Sequence, residues 1–571
     1  MEEVIVFKNF SFQYFEQSEP TLHDINLVIH KGEKVLIAGP SGSGKSTLGH
    51  CINGLIPFAH KGEIKGSLKV CGKQTKNESL FSLSNHVGTV LQDSDGQFIG
   101  LSVGEDIAFA LENDLIEQEE MKNRVKKVAG MVDMESFLAQ NPHALSGGQK
   151  QRVSLAGVMV EDAQILLFDE PLANLDPITG KTAIELIDDI SKDRTVIIIE
   201  HRIEDVLHRP VDRIILVDEG RIVMDDTPDR VLASGILVKY GVREPLYVTA
   251  ARYAGMAITE DCHPSSLDAF KADGEKLQAW FSANYIRSKD IRRKDLLDIS
   301  HISFSYDGIR PVLKDVSLVI HEGEMLSIVG KNGAGKTTLS SVICGFIRPD
   351  EGTVSLNGED LSKYSISERA EHIGIVMQNP NQMISKTMIF DEVALGLRIR
   401  KMDEETVKQK VYDALKICGL YEFRSWPISA LSYGQKKRVT IAAILVLNPK
   451  VLILDEPTAG QDYRHYSEIM EFLKSLNEKG QTIILITHDM HLMLEYTDRA
   501  VVLSEARKIA DEKAFEVLCD EELTERANLK ETSLFHLARK AGIEDALGFT
   551  ECFIHYDREV RSHENQNLLI Q

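Results

Sequence analysis

The sequence lacks any stretch that could hold it in a membrane. Its longest uninterrupted apolar run covers residues 441–447 and ends at an Asn-Pro-Lys segment, whereas a helix that crosses a bilayer needs about 20 apolar residues. The chain starts with Met-Glu-Glu rather than with basic residues that lead into an apolar segment, so we expect no signal peptide. Any membrane function would therefore depend on separate polypeptides.

Basic residues are outnumbered, and closely spaced cysteine pairs are lacking. Against 65 lysines and arginines stand 87 aspartates and glutamates, a formal net charge of −22, which disfavours broad electrostatic binding to nucleic acid or anionic lipid. The seven cysteines include no CxxC pair and are typical of free thiols in a reducing compartment. A metal site at Asp261-Cys262-His263 is not favoured, because no second Cys/His pair lies near it.

What the sequence does contain is a long internal repeat. The segment GPSGSGKS at 39–46 recurs as GKNGAGKT at 330–337, LSGGQ at 145–149 as LSYGQ at 431–435, and ILLFDEP at 165–171 as VLILDEP at 451–457. The separation of 286–291 residues is far too long for a solenoid unit and indicates a duplicated domain. The domains we expect are 1–226 and 295–505, each followed by a small appendage, at 227–294 and 506–571.

Each copy is predicted to be α/β. In each, a short apolar run enters a glycine turn and a helix-like segment follows, at 34–38 and 47–55, and at 325–329 and 338–346. Other continuous apolar runs have the length of buried parallel strands, at 165–168, 195–199, 451–454 and 482–486. Charged, helix-patterned stretches at 103–137 and 389–420 predict a helical subdomain in each copy.

The glycine turns match the phosphate-binding pattern GxxxxGK[ST]. Its glycines let the backbone curl so that several N–H groups point at one anion, and the following helix presents its positive end. Lys45 and Lys336 are expected to reach the β- and γ-phosphate oxygens of ATP, and Ser46 and Thr337 to ligate Mg²⁺. The residues expected at the nucleotide are Gly39, Pro40, Ser41, Gly42, Ser43, Gly44, Lys45, Ser46 and Thr47, and Gly330, Lys331, Asn332, Gly333, Ala334, Gly335, Lys336, Thr337 and Thr338.

Paired carboxylates follow one apolar run in each copy. Asp169 and Asp455 end these runs and are expected to act at Mg²⁺, directly or through water. The adjacent Glu170 and Glu456 are candidates for the general base that polarises the attacking water. Carboxylates in this place could instead cap a following helix, but the phosphate-binding loops upstream favour the catalytic interpretation.

An amide and a histidine recur at matching distances from the other motifs. Gln92 and Gln378 precede Ser146 and Ser432, the serines of the LSGGQ and LSYGQ segments, by 54 residues each, and they suit a neutral ligand for the metal or the water. His201 and His488 follow the Asp-Glu pairs by 32–33 residues. A lone histidine is more often structural, yet the matched spacing favours a γ-phosphate contact that stabilises the transition state.

Two tyrosines close aromatic strand-like segments near the start of each copy. Tyr14 ends FSFQY and Tyr306 ends ISFSY. Either could stack on adenine, and the competing interpretation is an aromatic side chain of the core.

Together these motifs resemble those of ATP-binding-cassette ATPases, over about residues 3–225 and 296–505. In that family two domains meet head to tail, and the LSGGQ signature of each completes the nucleotide site of the other. The resemblance therefore implies a tandem enzyme in which each signature faces the other copy's ATP. The residues implied are Ser146, Gly148 and Gln149 for the ATP held by Lys336, and Ser432, Gly434 and Gln435 for the ATP held by Lys45.

Finer features are similar to the energy-coupling-factor subclass, which drives vitamin and metal uptake. They are the Q-loops QDSDGQ at 92–97 and QNPNQ at 378–382, the EHR triplet at 200–202, and the appendage after residue 226. In its fused form the chain resembles bacterial importers of hydroxymethylpyrimidine/thiamine or of cobalt. The resemblance implies a transmembrane coupling subunit and a separate membrane substrate-binding subunit as partners, no nucleic acid, and a peripheral place on the cytoplasmic face of the cell membrane.

Some residues depart from the family pattern or differ between the copies. Asp176 and Asp462 match the family's D-loop, but Gln461 stands where leucine is usual. Tyr433 replaces the first glycine of the second signature, and we expect it to weaken that site without abolishing it. Arg202 replaces an acidic residue in one copy only, so the two sites are expected to be chemically unequal.

Two other classes remain open. The tandem ATPases of monosaccharide importers usually have one decayed site, whereas both glutamates and both histidines are present here. A ribosome-associated tandem cassette normally carries a long charged helical hairpin between its copies, whereas residues 226–294 contain three prolines and many apolar residues. A scaffold without enzymatic activity is hard to reconcile with two sets of water-activating residues.

Overall fold

A computed structural model of the chain describes residues 2–15, 17–91, 95–173, 175–190, 194–287, 293–458, 461 and 463–568. The chain divides into two compact units. One comprises Met1–Trp280, Asp462–Arg464 and Arg539–Ile543, and the other comprises Phe281–Gln461, His465–Ala538 and Glu544–Gln571. Each unit contains one copy of the repeated motifs.

Two sheets form the framework of the first unit. The strands are β1 (Glu3–Tyr14), β2 (Leu22–His30), β3 (Lys34–Ala38), β4 (Gly62–Val70), β5 (Lys73–Gln74), β6 (Val87–Val90), β7 (Ile165–Asp169), β8 (Thr195–Ile199), β9 (Arg213–Asp218) and β10 (Arg221–Asp226). The smaller, antiparallel sheet has the order β2-β1-β4-β5, and the larger sheet has the order β10-β9-β3-β8-β7-β6. Strands β7 and β8 are buried along their whole length, as their continuous apolar runs predict.

The helices of the first unit cover both faces of the larger sheet and extend beyond it. They are α1 (Lys45–Ile52), α2 (Leu55–Phe58), α3 (Leu80–Ser84), α4 (Val103–Asn113), α5 (Gln118–Met131), α6 (Gly147–Met159), α7 (Pro177–Ile190), α8 (Ile203–Val206), α9 (Pro228–Ser234), α10 (Ile236–Lys239), α11 (Leu246–Tyr253) and α12 (Gly274–Asn284). Helices α4, α5 and α6 share their own apolar core, which includes Ile107, Val128 and Val153. This is the expected helical subdomain.

The second unit repeats this plan. Its strands are β11 (Asp295–Phe304), β12 (Leu313–His321), β13 (Met325–Val329), β14 (Glu351–Leu356), β15 (Glu359–Asp360), β16 (Ile373–Val376), β17 (Val451–Asp455), β18 (Thr482–Ile486), β19 (Arg499–Ser504) and β20 (Arg507–Lys513). The sheet orders are β12-β11-β14-β15 and β16-β17-β18-β13-β19-β20. The order of the larger sheet is that of the first unit, read from the opposite edge.

The helices of the second unit have counterparts in the first up to the appendage. They are α13 (Lys336–Cys344), α14 (Ile366–Arg369), α15 (Ile389–Ile399), α16 (Glu404–Ile417), α17 (Tyr433–Leu445), α18 (Tyr463–Glu478), α19 (Met490–Tyr496), α20 (Ala514–Val517), α21 (Glu521–Ala527), α22 (Ser533–Lys540) and α23 (Ala546–Leu568). Helices α15, α16 and α17 again enclose a separate apolar core. None of the helices in the described ranges is both long and apolar enough to span a bilayer.

Strand order decides which loops meet. In the first unit β3, β8 and β7 are parallel neighbours, and Ile199 at the end of β8 lies opposite both Ile37 and Asp169. In the second unit β16, β17, β18 and β13 are parallel neighbours. The carboxyl ends of such strands share one edge of the sheet, where ligands of open α/β sheets bind. The glycine loops, the Asp-Glu pairs, the histidines and Gln378 all follow these ends.

Candidate nucleotide sites

The first glycine loop adopts a backbone that its three glycines alone tolerate well. Gly39, Gly42 and Gly44 have φ angles of +151°, +76° and +100°, a region that residues with a Cβ rarely adopt. A Cβ on Gly39 would lie 2.0 Å from the carbonyl oxygen of Val217. The helix that follows begins at Lys45, two residues before the expected start.

The second glycine loop has the same shape. Gly330, Gly333 and Gly335 have φ angles of +141°, +80° and +98°, and a Cβ on Gly330 would lie 2.0 Å from the carbonyl oxygen of Leu503. The helix α13 begins at Lys336, again two residues earlier than expected. The repeated pattern therefore produces a repeated backbone.

Each loop lysine folds back over its own loop. Lys45 Nζ donates hydrogen bonds to the carbonyl oxygens of Gly39 at 2.8 Å and Pro40 at 2.7 Å. Lys336 Nζ donates to those of Gly330 at 2.7 Å and Lys331 at 3.1 Å. Both lysines are more than 90% buried. An ammonium group held this way lies inside the curl of the loop, where it would contact an anion bound by the loop.

One buried hydroxyl group of the first loop lacks a hydrogen-bond partner among the described residues. Ser43 is 2% exposed, and its Oγ has no hydrogen-bond partner within the described part of the chain. A buried hydroxyl without a partner costs free energy, and a phosphate oxygen is an acceptor that would satisfy it. The equivalent position of the second loop is Ala334, so this donor belongs to one site only.

A hydroxyl and a carboxylate meet beside each loop. Ser46 Oγ donates to Asp169 Oδ1 at 3.2 Å, and Thr337 Oγ1 donates to Asp455 Oδ2 at 3.3 Å. Burial raises the pKa of Asp169, against the opposing effects of the Ser46 hydrogen bond and the charge of Lys45. Burial and the neighbouring Glu456 raise the pKa of Asp455. Two such oxygen donors fit the hard-ligand preference of Mg²⁺, whose charge would offset the cost of burying the carboxylate.

The glutamates after these aspartates have an unusual backbone. Glu170 and Glu456 have φ angles of +49° and +45°, and their N–H groups donate to the carbonyl oxygens of Ile199 at 2.9 Å and Ile486 at 2.8 Å. A left-handed conformation at a non-glycine residue costs of order 1 kcal/mol and is found at functional sites. Here it interrupts the extended backbone directly after β7 and β17.

The histidines have different partners in the two units. In the second unit His488 Nδ1 lies 2.7 Å from Oε1 of the candidate base Glu456. In the first unit His201 Nδ1 lies 3.1 Å from Oε1 of Glu200, its own neighbour in sequence. That carboxylate is fully buried and accepts hydrogen bonds from the N–H groups of His201 at 2.8 Å and Arg202 at 3.2 Å.

Sequence reasoning missed the residues that separate the two histidine environments. Thr487 occupies the position of Glu200, and its Oγ1 donates to Glu456 Oε2 at 3.4 Å and accepts from the N–H of Asp489 at 2.9 Å. The aligned repeat shows glutamate in the first copy and threonine in the second directly before the histidine. The hydrogen bond between Thr487 and Glu456, however, could be found only in the folded structure.

The tyrosines lie at the first turn of each loop helix. Tyr14 and Thr47 hydroxyls are 3.2 Å apart, and those of Tyr306 and Thr338 are 3.3 Å apart. Tyr306 is 68% exposed, which argues against the core interpretation for that residue. Tyr14 is only partly exposed. Both rings thus stand next to the loop that would hold phosphate.

Each signature begins a helix with a reciprocal pair of hydrogen bonds. Gln149 N–H donates to Ser146 Oγ at 3.4 Å while Ser146 N–H donates to Gln149 Oε1 at 3.0 Å, and Ser432 and Gln435 repeat this with 3.3 and 3.0 Å. This is a capping box, which stabilises the first turn of a helix. The retained glycine, Gly148, leaves room for Thr179, whose Cγ2 would lie 2.6 Å from an added Cβ. A Cβ on Gly434 would meet its nearest atom only at 3.8 Å.

The remaining predicted residues are Gln92, Asp176, Gln378 and Asp462. Gln92 and Asp462 fall outside the described residues. Asp176 is 4% exposed and accepts the N–H of Thr179 at 3.0 Å, so it stabilises the start of α7. Gln378 follows β16 and is exposed, and its carbonyl oxygen accepts hydrogen bonds from α17.

These sites define a duplicated P-loop nucleotide-binding protein, and comparison with known proteins gives its family. A family model described as ABC transporter matches residues 22–173 and 313–459. A relative from Clostridium perfringens, provisionally named an ABC transporter ATP-binding protein, is 59% identical over 98% of this chain and 99% of its own length. Another of that description, from Enterococcus faecalis, is 58% identical over 98% and 99%.

The chain therefore belongs to the family of ABC transporter ATP-binding proteins and is the ATP-binding subunit of such a transporter. Its fold is two tandem P-loop ATPase domains, as the motifs predicted. A second model, described as ATP-binding cassette cobalt transporter, matches residues 234–304, and one described as an AAA domain matches 424–495. The solved structure of cbiO1 from Clostridium perfringens, described as part of the ABC transporter complex cbiONQ, is 34% identical, with a TM-score of 0.39 over 44% of this chain and 98% of its own.

Proposed function

We propose that the chain hydrolyses Mg·ATP at two sites and thereby energises an energy-coupling-factor type of uptake through separate membrane subunits. The observation that carries the subclass is the appendage of the first copy. Residues 234–304 match a family described as ATP-binding cassette cobalt transporter, and the appendage is one of the features by which the sequence resembles this subclass. The transported solute would be a metal ion, a vitamin or a vitamin precursor.

The glycine loops would hold the phosphates of ATP. The buried ammonium groups of Lys45 and Lys336 donate hydrogen bonds to loop carbonyl oxygens 2.7–3.1 Å away. When ATP binds, they would donate to the β- and γ-phosphate oxygens instead. The hydroxyl of Ser43, which has no hydrogen-bond partner among the described residues, would add one donor to the first site. Tyr14 and Tyr306 would stack on adenine at the rim of each site.

The metal would be held by the hydroxyl–carboxylate pairs. Ser46 with Asp169, and Thr337 with Asp455, would bind Mg²⁺ together with the Q-loop residues Gln92 and Gln378. When bound, Mg²⁺ neutralises the negative charge of the β- and γ-phosphate oxygens.

The catalytic groups would be the glutamates and histidines that follow β7, β17, β8 and β18. Glu170 and Glu456 would accept the proton of the attacking water as general bases. His201 and His488 would contact the γ-phosphate as its charge develops. Because His488 holds Glu456 directly whereas His201 is held by Glu200, we propose that the two sites turn over at different rates.

The signatures would complete the sites in trans. Ser146, Gly148 and Gln149 would face the ATP held by Lys336, and Ser432, Gly434 and Gln435 the ATP held by Lys45. The two ATP-bridged domains would form a clamp that hydrolysis reopens, and membrane partners at the Q-loops would convert this motion into transport. We also propose that the protein is peripheral at the cytoplasmic face of a bacterial membrane. The proposed domains are the two cassettes 1–226 and 295–505 and the appendages 227–294 and 506–571.

Purification of the tagged chain from its native membranes tests the subclass. We expect it to hydrolyse ATP and to co-purify with one transmembrane coupling protein and one small integral substrate-binding protein, identified by mass spectrometry. Co-sedimentation with ribosomes would instead support the ribosome-associated class. A pair of large permease subunits without a small integral binder would favour a sugar importer.

A further inference from the structure

Two donors of the second signature helix meet at one carbonyl of the Q-loop. Tyr433 is the first residue of α17, and its hydroxyl donates a hydrogen bond to the carbonyl oxygen of Gln378 at 3.3 Å. Lys437 Nζ donates to the same oxygen and to that of Met377, both at 2.8 Å. The two donors are four residues apart and therefore share one face of the helix.

The lysine has been removed from water to make these bonds. Lys437 is 1% exposed, and burial lowers its pKa to about 8. A buried ammonium is costly unless it is hydrogen-bonded, and the two Q-loop carbonyls are the acceptors that serve it. Met377 itself is 45% exposed, so the bonds to α17 fasten a loop whose side chains face solvent.

At the equivalent positions of the first unit, the described residues do not form this pair of hydrogen bonds. Gly147 stands in place of Tyr433, and Gln151 stands in place of Lys437. The Nε2 of Gln151 is buried and has no hydrogen-bond partner in the part of the chain that the structure describes. The pair of donors is thus a feature of the second copy, at the position where its signature departs from the family pattern.

We propose that Tyr433 and Lys437 form a clasp that positions Gln378 for catalysis at the second site. Tyr433 is then a positioning residue that acts within its own domain, in addition to any effect on the nucleotide that the signature faces. This rests on the proposed role of Gln378 at the metal or the water. The carbonyl group and the side chain belong to the same residue, so hydrogen bonds that fix the carbonyl of Gln378 also limit where its side chain can reach. A displacement of about 1 Å in an active site can cost roughly 10²-fold in rate.

Hydrogen exchange on the full chain tests the clasp itself. Tyr433→Phe removes only the hydroxyl, and Lys437→Gln introduces the residue of the first copy. Loss of one such hydrogen bond should speed amide exchange in residues 377–383 about two- to tenfold. The matched control is Tyr412→Phe, a tyrosine of the same subdomain whose ring packs on Phe390 and Tyr421. Exchange unchanged from wild type in both clasp variants would overturn the proposal.

Turnover in two backgrounds tests the positioning role. With Glu170→Gln the second site supplies the activity, and with Glu456→Gln the first does. We expect Tyr433→Phe to lower kcat about tenfold in the Glu170→Gln background, with little change in KM, since an oriented Gln378 acts in the transition state. An equal or greater loss in the Glu456→Gln background would overturn the role and assign Tyr433 to the opposite site's phosphate. No loss in the Glu170→Gln background would also overturn the role.

The two readouts separate this proposal from the one on which it rests. A wild-type chain that fails to hydrolyse ATP would remove the proposed function, while exchange in residues 377–383 would still decide whether the clasp exists. Faster exchange with unaltered kcat in the Glu170→Gln background would show that the clasp holds the loop without positioning Gln378, and would overturn the positioning claim.

Discussion

The Nδ1 atom of His488 lies 2.7 Å from Oε1 of Glu456, whereas the equivalent histidine of the first unit, His201, lies beside the buried Glu200. The two residues of this pair come from the ends of β18 and β17. Their contact links the candidate base to the residue that would sense the γ-phosphate.

His488→Ala should slow the second site roughly 10²-fold, because it removes a donor to the developing charge and the partner that orients Glu456. The measurement is steady-state hydrolysis in the Glu170→Gln background. His301→Ala, at an exposed position of β11 paired with Asp315, is the matched control and should leave the rate as it was. A loss no larger than that of the control would contradict the assignment.

Glu170→Gln and Glu456→Gln should each slow hydrolysis, by about 10²-fold or more at the altered site, since each removes a general base. The effects should be unequal, because Glu456 is held by His488 and Thr487 whereas the first site has the additional carboxylate of Glu200. Phosphate release by the two single variants checks this. Equal and small effects would argue against two catalytic glutamates.

Gly39→Ala and Gly330→Ala should destabilise their loops by about 1–3 kcal/mol, because the new Cβ clashes with a strand carbonyl in a backbone region that alanine avoids. Thermal unfolding and binding of a fluorescent ATP analogue measure the loss. Gly157→Ala in α6, where nothing lies within 4 Å of the added Cβ, should be neutral or slightly stabilising. Wild-type nucleotide binding by both loop variants would exclude the proposed cradle.

Asp169→Asn should raise the melting temperature of the nucleotide-free chain at pH 7.5. The folded-state pKa of Asp169 is raised by burial, so the free-energy cost of its ionisation builds up as the pH rises above the unfolded-state pKa and is complete above the folded-state pKa. Below the ordinary aspartate pKa of 3.8 the carboxyl group is mostly protonated in both the folded and the unfolded state, so the advantage of the variant should vanish as the pH falls toward 4. Melting curves between pH 4 and 8 check the sign. A variant less stable at pH 7.5 would show that the carboxylate stabilises the chain.

Much of the fold followed from the repeat and the apolar runs. The strands Lys34–Ala38, Met325–Val329, Thr195–Ile199 and Thr482–Ile486 occur with the expected bounds, because a buried parallel strand must be apolar on both faces. The starts of the loop helices were less accurate. Each begins two residues early, at Lys45 and Lys336, since the positive-φ glycine before the lysine ends the loop there.

The amino-acid sequence by itself determined the chemistry available: two phosphate loops, two Asp-Glu pairs, two histidines and two signatures at matched spacing. Only the tertiary structure decided which of these groups touch. Whether a histidine meets Glu456 or Glu200, and whether a tyrosine in a signature reaches the carbonyl of Gln378, depends on strand order and helix face. The contact of His488 with Glu456 joins residues 32 positions apart, and that of Tyr433 with Gln378 joins residues 55 positions apart. The packing of the whole domain fixes such contacts, and no local sequence pattern predicts them.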